Sequence, residues 1–146
     1  MRKDTLFTRF FLAALMGAFA FSAQVSAEED EKLTPLEETM EETSDALKSL
    51  RRIDKSDWAA GAKAARTAAD GIRKGMAFIP AIVKEMPDGK DKAKAIADFR
   101  RIMGESYAAL CELELAYLEE DQAKVDAATT KWKASKKAGH REYTDD

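Results

Sequence analysis

From position 34 onward, apolar residues recur at spacings of three and four, which places them along one face of a helix. Leu36, Met40, Thr43, Leu47 and Leu50 form the first such seam, with Thr43 its only polar member. Its start is well marked. Thr34 suits an N-cap, Pro35 the first helical position, and Glu37 the reciprocal position of a capping box. Trp58, Ala62, Ala65, Ala69, Ile72 and Met76 predict a second helix that begins near Ser56 or Asp57 and stops before Pro80. Gly61, Gly71 and Gly75 are expected to weaken it, each by up to about 1 kcal/mol relative to alanine. Residues 80–90, with Pro87-Asp88-Gly89, give the longest connection and the clearest turn signal. Ile96, Phe99, Met103, Tyr107, Leu110, Leu113 (or Glu114) and Tyr117 then repeat at near-heptad spacing. After the acidic turn Glu119-Glu120-Asp121, a fourth helix carries Val125, Ala128, Trp132, Ser135 or Lys136, Gly139 or His140, and Tyr143. No stretch after residue 27 reads as strand, and there is no internal repeat. Four amphipathic helices with mostly short links predict an all-α fold, an antiparallel up-down-up-down four-helix bundle.

The N-terminus follows a different pattern. Arg2, Lys3 and Arg9 precede an apolar run at 10–21, and Val25-Ser26-Ala27 supplies small residues for cleavage. The run is about a dozen residues, short of the roughly 20 that a membrane-spanning helix needs. This predicts a secretory signal peptide over 1–27 and a mature domain over 28–146, with no membrane association after cleavage. Losing Arg2, Lys3, Arg9 and Asp4 reduces 24 basic and 27 acidic residues to 21 and 26, net −5. A mildly acidic chain without a basic stripe argues against nucleic-acid binding. Export normally favours disulfides, yet Cys111 is the only cysteine, so packing must hold the fold. Its neighbours Leu110, Leu113 and Leu115 mark Cys111 as a small buried residue rather than a reactive thiol.

Candidate chemistry is sparse. His140 is the only histidine. No nucleophile elbow or Cys-centred motif accompanies it, so the chain does not read as an enzyme. An ordinary zinc site needs several His or Cys ligands, and a di-iron bundle needs Glu-x-x-His pairs; neither is present. Heme ligation asks for less, namely one nitrogen and one sulfur on opposite sides of a flat macrocycle. In an up-down bundle the first and last helices are neighbours running in opposite directions. Met40, about five residues into the first, and His140, six residues from the chain end, then sit at similar depth on inward faces. Each also has a plain reading: a core methionine, and a solvated histidine near a helix C-terminus.

At this point the residues resemble the cytochrome b562 family, itself an up-down bundle. Leu36-Glu37-Glu38-Thr39-Met40-Glu41, with Asp45 and Leu47-Lys48, resembles that family's first helix around its methionine ligand. Asp98-Phe99-Arg100 resembles the start of its third helix, and His140 with Tyr143 matches the histidine end. The resemblance spans 36–143 and is weak over 54–95. It implies one non-covalent heme b per chain, with Met40 and His140 as iron ligands. Leu36, Phe99 and Met103 would line the pocket, and Pro80 would close it. The implied protein is a monomeric periplasmic electron carrier serving redox partner proteins. Lys136 would either meet a heme propionate or remain a solvated lysine. The sequence departs from the family in four places. Met103 replaces a favoured aromatic, Thr43 brings a hydroxyl to the pocket floor, Gly139 is expected to loosen the last turn, and extra residues lie between the first helix and Phe99. Lys136-Lys137-Ala138-Gly139-His140 lacks the two cysteines of covalent heme attachment. Two other readings remain open: a heme-free periplasmic bundle acting as a binding or envelope stress protein, and a copper module. The latter would use His140 with Met40, Met76, Met86 and Met103, which are scattered in sequence.

Overall fold

The first helix, α1 (Pro35–Ser49), starts where its capping signals place it. The Glu37 amide donates to Thr34 Oγ1 at 3.3 Å, and the Thr34 amide donates back to Glu37 Oε2 at 2.6 Å. Those donors hold the Glu37 carboxyl below the usual carboxylate range, the Thr34 backbone first. The computed structural model describes residues 33–144, all within the unit 32–146. The predicted signal peptide over 1–27 lies outside the described residues.

Every regular element among the described residues is helical: α1, then α2 (Trp58–Gly75), α3 (Ala81–Lys84), α4 (Lys90–Leu118) and α5 (Gln122–Tyr143). The connection over 80–90 is therefore not all turn. Pro80 caps the single helical turn α3, whose Val83 is buried, and α3 rests on α4. Asp57 caps α2 by accepting from the Ala60 amide at 3.0 Å. Asp121 caps α5 by accepting from the Lys124 amide at 3.1 Å.

The helices pack in chain order, α1 on α2, α2 on α4, and α4 on α5. Contacts give the register of each pair. Gly71 and Gly75, late in α2, meet Thr39, Thr43 and Met40, early in α1. Gly61, early in α2, meets Tyr117, late in α4. Across α4 and α5, Lys131 pairs with Glu112 at 2.6 Å, while Tyr143 reaches Asp98.

The glycines of α2 thus act differently from the expectation of simple weakening. A Cβ at Gly71 would collide with the Thr43 hydroxyl, and one at Gly75 would come within 2.6 Å of Met40 Cε and 2.9 Å of Met103 Cε. With Ala62, Ala64, Ala65, Ala68 and Ala69 also buried, α2 is a small-residue helix that both neighbours approach closely. Their dispersion contacts offset the propensity cost.

The core draws Ala65, Ala68, Ala69 and Ile72 from α2, Phe99, Met103, Leu110, Leu113 and Ala116 from α4, and Val125 and Ala128 from α5. By contrast, α1 has one fully buried residue, Thr43; Leu36, Met40, Ala46, Leu47 and Leu50 are only partly covered. Helices α1 and α5 do not pack together as the sequential pairs do. This open seam positions the candidate site.

Candidate ligand pocket in the α1–α5 seam

A cavity of about 320 Å³ occupies the seam between α1 and α5, floored by α4. One wall is Leu36, Met40, Thr43 and Leu47 of α1. The other is Trp132, Ser135, Lys136, Gly139, His140 and Tyr143 of α5. Phe99, Ile102, Met103 and Ser106 of α4 form the floor, and Glu41, Ser44, Ile72, Pro80 and Thr144 complete the lining. All six residues picked from sequence, Leu36, Met40, Phe99, Met103, Lys136 and His140, line this one cavity. Its volume lies at the lower end of the roughly 300–1,000 Å³ typical of ligand sites.

Met40 is half-buried and packs on the core, its Cε held where α2 narrows to Gly75. Met103 brings a second thioether to the same place, a proximity that their separation in sequence hides. Phe99 and Met103 are buried. Thr43 does bring a hydroxyl to the lining, but that hydroxyl donates to the Thr39 carbonyl at 2.8 Å and is satisfied. Across the floor, Ser106 Oγ donates to Ser135 Oγ at 2.8 Å, and Ser135 Oγ donates to the Trp132 carbonyl at 2.9 Å. Among the described residues, no buried side-chain polar atom lacks a partner.

His140 was expected on an inward face; it is exposed, at the rim of the cavity. The alternatives left open for α5 resolve by depth. Ser135 is buried and Gly139 half-buried, whereas Lys136 and His140 take the flank that faces the seam. Lys136 Nζ stands 5.6 Å from the Trp132 ring centroid. Gly139 does not fray the helix, which continues to Tyr143. A Cβ at Gly139 would lie 3.3 Å from Ile102 Cγ2, so the glycine lets α5 sit close on α4.

Tyr143 fixes this end of α5. Its hydroxyl lies 2.8 Å from Asp98 Oδ2, to which it donates, and 3.2 Å from the Ala95 carbonyl. Its ring meets Phe99 edge-on, with centroids 5.4 Å apart at 80°. Burial, followed by the Asp98 hydrogen bond, pushes the Tyr143 phenol up to about 12. Arg101, which donates to Asp98 Oδ1 from Nη2 at 2.7 Å, does most to hold that carboxyl below its ordinary value, and Tyr143 assists. Reading from sequence placed Tyr143 near the histidine but gave it no anchoring role. Ile102, adjacent to Met103 and off the heptad-like list, was missed, as was Ser106. Both lie at i+3 from a predicted pocket residue, the spacing that broadens a helix face.

Among the described residues, no group of three or more His, Cys, Asp or Glu side chains is placed to hold a metal ion. No described helix is long and apolar enough to cross a membrane. Compared with family models, curated proteins and solved structures, the chain matches none.

Proposed function

We propose that the chain is an exported b-type cytochrome of the cytochrome b562 kind. In this reading 1–27 is a cleaved signal peptide, and α1, α2, α4 and α5 are the helices of an antiparallel up-down-up-down bundle. One heme b is held without covalent links between Met40 and His140, and the protein carries electrons in the periplasm as a monomer. The observation that supports it best is the single cavity lined by all six residues picked from sequence. The donor chemistry fits. A thioether and an imidazole are the two-ligand set of a low-spin electron-transfer heme, and the rest of the lining is mainly apolar. Leu36, Phe99 and Met103 would hold such a group in the apolar part of the cavity, with Met40 and His140 as its donors.

Bound there, heme would supply one-electron chemistry at iron. The chain does the rest. Met40 presents a soft neutral sulfur, which favours the ferrous state. Phe99, Leu36 and Met103 exclude water from the cavity wall, which acts in the same direction. Tyr143 and Phe99 hold the end of α5, and so the backbone of His140, against α4. Met40 and His140 would both serve as donors to the group, a role that suits a carrier rather than an enzyme.

Titration of the purified protein with hemin tests this, followed by absorption in both oxidation states. One equivalent bound with a low-spin six-coordinate spectrum is expected. Failure to bind hemin would leave a heme-free bundle as the better account. A second reading also has an observation behind it. Met40, Met103 and His140 line one cavity and form a soft donor set suited to monovalent copper. Saturable Cu(I) binding without hemin binding would favour that reading.

A further inference from the structure

The α1–α5 seam holds a second cavity of about 420 Å³, toward the end of α1 and the start of α5. Ser44, Leu47, Trp132 and Lys136 line both cavities, so the two are adjoining chambers of one groove. Their chemistry differs. The first chamber carries Glu41, Lys136 and His140 and is otherwise uncharged. The second is lined by Lys48, Arg51, Lys55, Lys133 and Lys136, against only Asp54 and Asp126.

Both of those acids keep their charge but accept hydrogen bonds from neutral neighbours and form no ion pair with these cations. The Ser56 amide and hydroxyl donate to Asp54 Oδ1 at 2.8 and 2.6 Å, and Gln122 Nε2 donates to Asp126 Oδ1 at 2.9 Å. Lys48 is paired with Asp45 at 2.9 Å. Arg51, Lys133 and Lys136 make no ion pair with a carboxylate among the described residues. Lys136, over the Trp132 ring, stands on the wall that divides the chambers. The five cations of this partly enclosed groove outnumber its two carboxylates, and an anion placed among them relieves the remaining repulsion.

We propose that the second chamber receives the carboxylate end of a ligand whose apolar body fills the first, with Arg51, Lys133 and Lys136 as its cationic contacts. The proposal rests on the same cavity as the heme reading but not on the iron. Porphyrin propionates and fatty-acid carboxylates share the chemistry it requires.

Two matched ligand pairs test it in the purified protein and in the triple variant Arg51→Ala/Lys133→Ala/Lys136→Ala. One pair is hemin and its dimethyl ester; the other is hexadecanoate and hexadecanol. Wild type should prefer each carboxylate over its neutral partner by about tenfold, the product of three weak ion pairs worth roughly two- to threefold each. The preference should collapse in the variant and shrink as ionic strength rises, while ester and alcohol affinities stay within about twofold. Circular dichroism reports whether the variant is folded; Lys133→Glu alone, at an exposed position, provides the same reading with one substitution. Absence of a carboxylate preference in both pairs overturns the proposal, as does equal loss of charged and neutral ligands in a folded variant. Porphyrins bound without preference, with none for hexadecanoate either, leave the heme reading standing and sink this one. Variant-sensitive preference for hexadecanoate, with no porphyrin bound, does the reverse.

Discussion

The Tyr143 hydroxyl ties the last turn of α5 to the start of α4 three residues beyond His140, through Asp98 and the Ala95 carbonyl. Tyr143→Phe should therefore cost about 1 kcal/mol of stability at neutral pH, the usual net value of one hydrogen bond. The pH dependence has a definite sign. The Tyr143 phenol is raised from about 10 in the unfolded chain to about 12 in the folded one. Its contribution is complete below pH 10 and is lost as pH climbs toward 12. Denaturant unfolding from pH 8 to 12 should show wild type and Tyr143→Phe converging over that window; a constant gap would disprove the assignment. Gly75 gives a second test. A methyl there meets the flexible ends of Met40 and Met103, so Gly75→Ala should fold yet displace Met40 and weaken hemin binding. Gly71→Ala meets the buried Thr43 hydroxyl instead and should destabilise by about 1–3 kcal/mol, measured by chemical denaturation. At this scale the sequence was legible for Met40, whose seam is dense and capped. It was less so for His140. On α5 each residue turns about 100°, and the stripe through Ser135 and Tyr143 leaves His140 on the flank. An apolar pattern marks the middle of a buried face, not the edge that borders a cleft.

Helix boundaries followed local chemistry closely. Thr34, Asp57 and Asp121 each cap the helix that the pattern predicts. The link over 80–90 was harder, because a single turn such as α3 carries no periodicity to detect. The glycines of α2 were misleading for a related reason: propensity describes an isolated helix, whereas packing against α1 and α4 decides their role. The α4–α5 turn carries local strain. The Glu120 and Asp121 amides donate to the Tyr117 and Ala116 carbonyls, both at 3.1 Å, closing α4 with a Schellman motif. That motif puts Glu120 at φ 55°, where glycine is normally found. Glu120→Gly should stabilise the protein by about 0.5 kcal/mol, the αL strain removed less the entropy glycine adds. Thermal denaturation checks it; a lower midpoint would show that the side chain contributes contacts outweighing the strain.

For the whole molecule, the uneven docking of α1 matters most. The chain buries α4 between α2 and α5 and leaves α1, which packs on α2 alone among the long helices, half-covered, so the α1–α5 seam stays open and carries the cavity. The fold class was legible because four periodic stripes admit few arrangements. The cavity was not, since it arises from what α1 and α5 fail to bury, and no single stripe records that. A ligand filling the seam should stabilise the fold by mass action. Hemin at about 100 times its dissociation constant should contribute roughly 2.7 kcal/mol and raise the melting midpoint by about 10 °C. The most direct test of the central claim is the absorption spectrum of the reduced hemin complex in wild type, Met40→Ala and His140→Ala. A six-coordinate low-spin spectrum in wild type that is lost in both variants is the predicted result; an unchanged spectrum in both would contradict it.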